Sequence, residues 1–145
     1  MELQQFRKKL KELHEKSEMD AFSDWPFVYD EDESGRIYVN STGTFYFADS
    51  CSNWVESPLQ LSNVANIRYA KAFEDPGIDK DGGEHTESYI YINFTSGEYI
   101  ELFNLIDRYE IEITVFLQKN DENVEIIEKL KKLCHGIKCV EIAVN

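Results

Sequence analysis

The segment from Tyr89 to Phe103 restricts the fold more than any other part of this chain. It reads Tyr-Ile-Tyr-Ile-Asn-Phe-Thr-Ser-Gly-Glu-Tyr-Ile-Glu-Leu-Phe. β-Branched and aromatic residues alternate on both sides of Thr95-Ser96-Gly97, the pattern of a β-hairpin. Gly97 can supply the positive φ that a three-residue hairpin loop with a bulge requires. Strands are expected over residues 64–73, 88–94, 98–103 and 109–117. In the last of these, Ile111, Ile113, Val115 and Leu117 point one way and Glu110, Glu112 and Thr114 the other. One face is then core, and the other is acidic and wet.

The flanks are helical and mixed. Leu3, Phe6, Leu10 and Leu13 draw one apolar stripe along residues 2–17, which predicts a helix packed on the sheet. Trp25-Pro26 ends helical structure, because a residue before proline avoids the α region. Residues 36–40 and 44–48 alternate as short strands around Ser41-Thr42-Gly43, with Phe45 and Phe47 opposite Tyr46. Residues 49–58 are less regular, and Pro58 stops them or places them at a sheet edge. Residues 59–63 read as a loop entering the next strand. Residues 74–87 form a long polar insert, of a length that is usually functional or disordered.

After residue 117, Asn120 or Asp121 can cap a helix. That helix would carry Val124, Ile127, Leu130, Leu133 and Cys134 inward and end at Gly136. A final strand over 139–144 completes a β-α-β unit with parallel strands and a right-handed crossover. The expected fold class is α+β in one domain spanning residues 1–145. It has an N-terminal helix, a mainly antiparallel sheet of about six or seven strands and both helices on one face. The exposed face would carry Tyr, Glu and Thr side chains.

The charge is uneven. The formal net charge is −13, from 28 acids against 15 bases. Residues 18–66 carry nine acids and one base, and residues 72–118 carry eleven acids and two bases. The terminal segments are close to balance, so the β-rich middle holds the excess. Such a chain repels nucleic acid and anionic membrane and attracts basic partners. Hydrophobic residues make up 42% of the chain and aromatics 13%, too many for a disordered polymer. Three cysteines, an amphipathic charged start and no stretch as long as a membrane span lead to the expectation of a cytoplasmic protein with reduced thiols.

Chemistry-bearing motifs are sparse. Cys134, His135 and Cys139 lie close in sequence, but structural zinc sites need four ligands. Cys51 with His85 would need a third, orienting group to act as a nucleophile. The loop Asp79-Lys80-Asp81-Gly82-Gly83-Glu84 departs from the EF-hand, since position six is Glu84 and position twelve is Ile90. No phosphate-binding glycine loop and no nucleophile elbow is present. Aromatics on a sheet can stack bases, yet such surfaces also need Lys and Arg for phosphates. No enzymatic activity, metal or cofactor is therefore expected, nor direct binding of nucleic acid or membrane.

The leading expectation is a non-enzymatic binding protein that docks an acidic β-surface on a basic partner, such as a nuclease toxin. Its binding residues would be Asp30, Glu31, Asp32, Glu33, Trp54, Asp79, Asp81, Glu84, Glu101, Glu110 and Glu112. Carboxylates set among Tyr and Trp would imitate phosphates beside stacked bases. In size, acidity and lack of a catalytic motif the chain is similar in character to small bacterial toxin-immunity proteins and phage-type inhibitors. The alternative is a module for a small ligand, lipid or peptide, since the hairpin after residues 59–64 has a pleckstrin-homology-like rhythm; the final strand and the acidity count against it. A pocket lined by Trp54 or the sheet tyrosines would favour this alternative. Strand edges near residues 36–40 and 140–144 offer a route to a homodimer.

Overall fold

Alternation in the sequence becomes strand wherever an inner face can be covered. The structure, a computed structural model, describes residues 1–16, 27–28, 35–48, 53–73, 86–105, 110–133 and 137–143. Helix α1 (Leu3–Lys16) is followed by β1 (Phe27–Val28), β2 (Ile37–Val39), β3 (Thr44–Ala48) and β4 (Trp54–Gln60). A 3-10 turn (Leu61–Asn63) leads into β5 (Val64–Phe73), β6 (Thr86–Phe94), β7 (Tyr99–Leu105) and β8 (Glu110–Gln118). Helix α2 (Val124–Lys131) and β9 (Ile137–Ile142) complete the order.

The fold is mixed α+β, as expected, but the strands form two sheets instead of one of six or seven strands. One sheet has the order β1-β2-β3-β4 and the other β5-β6-β7-β8-β9. The break falls at the 3-10 turn. There Leu61 is buried, its N–H donates to the Gly43 carbonyl (2.7 Å), and the Thr95 N–H donates to the Asn63 carbonyl (2.8 Å). This corner carries the chain from the edge of one sheet to the edge of the other. Each inner face then covers the other, which a single sheet with two helices would not achieve. Pro58 sits in edge strand β4, where a missing N–H costs no ladder bond.

Pairing is antiparallel through both sheets except at two places. β1 pairs parallel with β2, which the expected meander did not include. β8 pairs parallel with β9 across α2, as the β-α-β reading requires. Gly97 has φ 91° and closes the β6–β7 hairpin, with the Gly97 N–H donating to the Phe94 carbonyl (2.9 Å). Gly43 has φ 85° in the β2–β3 turn.

One contiguous core receives both sheets and both helices. Phe6, Leu10 and Leu13 of α1 are buried in it, as the stripe predicts. Phe6 meets Phe27 and Phe45 edge-on, each at 5.7 Å between centroids. Phe45 in turn meets Phe94 at 5.4 Å, so one ring links the two sheets. α2 packs against β9 and β4 through Ile127 and Leu130. Val124, expected inward, is 48% exposed: it is the first residue of the helix, and the inward positions are held by Ile127 and Leu130. Asn120 does act near the helix start: its Oδ1 accepts the Asn123 N–H at 2.9 Å, and Asn123 is the N-cap residue.

Candidate interaction surface on the five-stranded sheet

Strand alternation fixes what the outer face of the five-stranded sheet presents. Ile90, Ile92, Ile100, Leu102, Ile113, Val115 and Leu117 are buried, so their neighbours point outward. Register then sets which outward residues meet. Tyr89 is opposite Phe103, Tyr91 opposite Glu101, Tyr99 opposite Phe116 and Glu101 opposite Thr114. The result is a continuous run of five half-buried rings across three strands. Phe103 and Tyr89 are 5.2 Å apart, Tyr89 and Tyr91 6.0 Å, Tyr91 and Tyr99 6.3 Å, and Tyr99 stacks on Phe116 at 4.1 Å. Such pairs contribute about 0.5–1.5 kcal/mol each beyond area burial.

Glu101 stands within this run. Burial raises its carboxyl pKa, and the charge of Glu112 raises it further. Glu112 is exposed and pairs with Lys138 at 3.6 Å. The hydroxyl of Tyr89 donates to Glu87 Oε2 at 2.8 Å. Burial first, then this bond and the carboxylate charge, push the Tyr89 phenol up to about 12. Tyr91 and Tyr99 are raised by burial and then by Glu101; Arg68, opposite Tyr91 on β5, works against the rise at Tyr91. All these hydroxyls stay protonated at neutral pH and can act as donors. A concavity of about 250 Å³ beside the run is lined by Arg68, Tyr69, Ala70, Tyr91, Asn93 and Tyr99. It is smaller than the roughly 300–1,000 Å³ of pockets that enclose drug-sized ligands.

At the end of the hairpin a buried carboxylate has a structural task. Glu98 is 7% exposed and accepts from Ser96 Oγ (2.9 Å), the Gln118 N–H (2.9 Å) and Asn123 Nδ2 (3.3 Å). Asn123 Nδ2 also donates to the Gln118 carbonyl at 2.9 Å. This network ties the hairpin loop to the start of α2, which keeps the outer-face strands in register.

The sequence-predicted residues divide into three groups. Glu101 and Glu112 lie together on this face. The backbone of Glu110 lies in β8, beside them in sequence. Trp54 does not join them. It stands on the outer face of the other sheet, edge-on to Tyr38 at 5.6 Å, with Tyr38 and Tyr46 at 5.7 Å. Asp30, Glu31, Asp32, Glu33, Asp79, Asp81 and Glu84 lie outside the described residues, as do His85, Cys51, Cys134 and His135. Cys139 is half-buried in β9, and burial pushes its thiol up to about 11, so it is neutral at pH 7.

The face is therefore aromatic first and acidic second. Its described charges are Glu87, Glu101 and Glu112 against Arg68 and Lys138. Tyr89, Tyr91, Tyr99, Phe103 and Phe116 were not among the predicted binding residues. Their alternation with Ile and Leu was a readable signal for an outward position. Their assembly across strands was not readable, because it depends on register. Among the described residues, no group of three or more His, Cys, Asp and Glu is gathered as for a metal ion, and no helix is long and apolar enough to cross a membrane. Comparisons with protein-family models, curated proteins and solved structures return no match.

Proposed function

We propose that the protein is a non-enzymatic binding domain of the inhibitor or immunity type. It docks the outer face of its five-stranded sheet on a basic protein partner such as a nuclease toxin. The observation that carries this reading is the run of five half-buried rings around Glu101 on an otherwise solvent-facing sheet. Rigid aromatic side chains gathered on one face are the usual anchors of a protein interface. The net charge of −13 supports a basic partner, because it raises encounter rates with positively charged surfaces. The acidic runs at residues 30–33 and 79–84 add to that long-range attraction.

The test is capture from a native cell extract by the full chain, at low and at high salt, beside a Tyr89→Ala/Phe116→Ala variant. The expected result is one basic protein that is released by salt and is lost with the variant while the variant keeps its fold by circular dichroism. No basic partner, or a partner held equally well by the variant, would overturn the reading. Replacing residues 30–33 or 79–84 by Asn and Gln should lower the association rate at low salt and leave folding intact.

The concavity beside Tyr91 and Tyr99 favours a second reading, a module for a small ligand. It supplies a cation, an amide and phenol donors at a semi-enclosed surface. A thermal-shift screen tests it. A ligand whose stabilisation disappears in Asn93→Ala would replace the first reading with the second.

A further inference from the structure

We infer that Glu101 together with the rings of Tyr91 and Tyr99 forms a receptor for one guanidinium group, an arginine side chain of the partner; this rests on the docking reading above. Tyr91 is directly across the strand pair from Glu101, and Tyr99 is its outward neighbour on the same strand. The two rings are 6.3 Å apart and inclined at 61°. The register puts them on two sides of Glu101, Phe103 follows it along the strand, and Thr114 lies across on β8.

The carboxylate has no cation of its own among the described residues. Among the described residues no lysine or arginine forms an ion pair with Glu101, whereas Lys138 is already engaged by Glu112. A carboxylate partly removed from water beside a second carboxylate is held there at a cost. An incoming cation removes that cost, and the electron-rich ring faces attract it as well. An anion brought to the same place would meet two carboxylates.

Guanidinium fits better than ammonium. It is planar, so it can lie against a tyrosine ring while presenting two parallel N–H groups to one carboxylate. It is also less strongly hydrated, which lowers the cost of bringing it among five rings. A lysine ammonium can satisfy the charge but neither the stacking nor the two-point contact.

The test uses the full chain and three short capped peptides, Gly-Arg-Gly, Gly-Lys-Gly and the neutral Gly-citrulline-Gly, followed by the ring signals of Tyr91 and Tyr99 in NMR spectra. The arginine peptide should give saturable shifts. The lysine peptide should bind about fivefold or more weakly, in line with the loss of stacking and two-point contact. The citrulline peptide should give no saturable shift, and Glu101→Gln should abolish the arginine response without unfolding the chain. Equal responses to arginine and citrulline, or an unchanged response in Glu101→Gln, would overturn the receptor. The docking reading fails separately. If partner capture survives and depends on Tyr89 and Phe116 while the arginine peptide leaves the rings unmoved, the receptor alone is lost. If the peptide binds and no basic partner is captured, the receptor stands and the docking reading is lost.

Discussion

Two glutamates three residues apart, Glu98 just before β7 and Glu101 within it, show how local surroundings separate chemically identical residues. Glu98 is buried among three donors, and Glu101 stands beside Tyr91, Tyr99 and Phe103 with no cation of its own among the described residues. Glu98→Ala would leave the Gln118 N–H without its acceptor and weaken the hold on Asn123. A loss of about 1–3 kcal/mol for each buried polar group left unpaired is expected, read as a lowered urea midpoint. Glu101→Gln should act in the other direction. The folded-state pKa of Glu101 is raised, so its contribution to stability is greatest below the unfolded carboxylate pKa and is lost as pH rises through the folded value. The melting temperature of the variant relative to the parent should therefore climb as pH rises through and above the ordinary carboxylate range. A difference independent of pH would show that the Glu101 charge is not the cause.

At the scale of elements, the β6–β7 hairpin organises the outer face, because every ring in the run lies on it or opposite β7. Its turn depends on Gly97 at φ 91°. Gly97→Ala places a Cβ in the left-handed region, at an expected cost of about 1–2 kcal/mol, measurable by chemical denaturation. The exposed pairs Lys129–Glu125 and Lys131–Glu141 matter less for stability, since pairs in water contribute at most about 1 kcal/mol. Element identity was largely readable from sequence. The hairpin, the parallel return of β9 and the buried stripe of α1 all follow from periodicity and capping residues. The parallel pairing of the two-residue strand β1 was not readable, because so short an element has no period to read.

Across the whole molecule, Phe45 is the residue that joins α1, one sheet and the other. It touches Phe6 on one side and Phe94 on the other. Phe45→Ala is expected to cost about 3–5 kcal/mol, the range for deleting a buried phenylalanine side chain. Because one core serves both sheets, tryptophan fluorescence and far-ultraviolet circular dichroism should report the same unfolding midpoint in the variant and the parent. Two separated midpoints would show that the sheets unfold as independent units.

The sequence by itself determined the fold class, the faces of most strands and helices, and the positive-φ turn at Gly97. Each of these is local: a period of two or 3.6, or one residue with an unusual backbone. It also determined the large negative charge, which is a matter of counting. Only the tertiary structure decided that the strands divide at Leu61–Asn63 into two sheets, since nothing within five residues signals a corner whose bonds come from Gly43 and Thr95. The same holds for the candidate surface. Trp54 and Glu101 looked alike as exposed residues in the β-rich region, yet they stand on different sheets. Tyr91, Tyr99 and Glu101 became neighbours through the pairing register, a long-range property that no single strand contains.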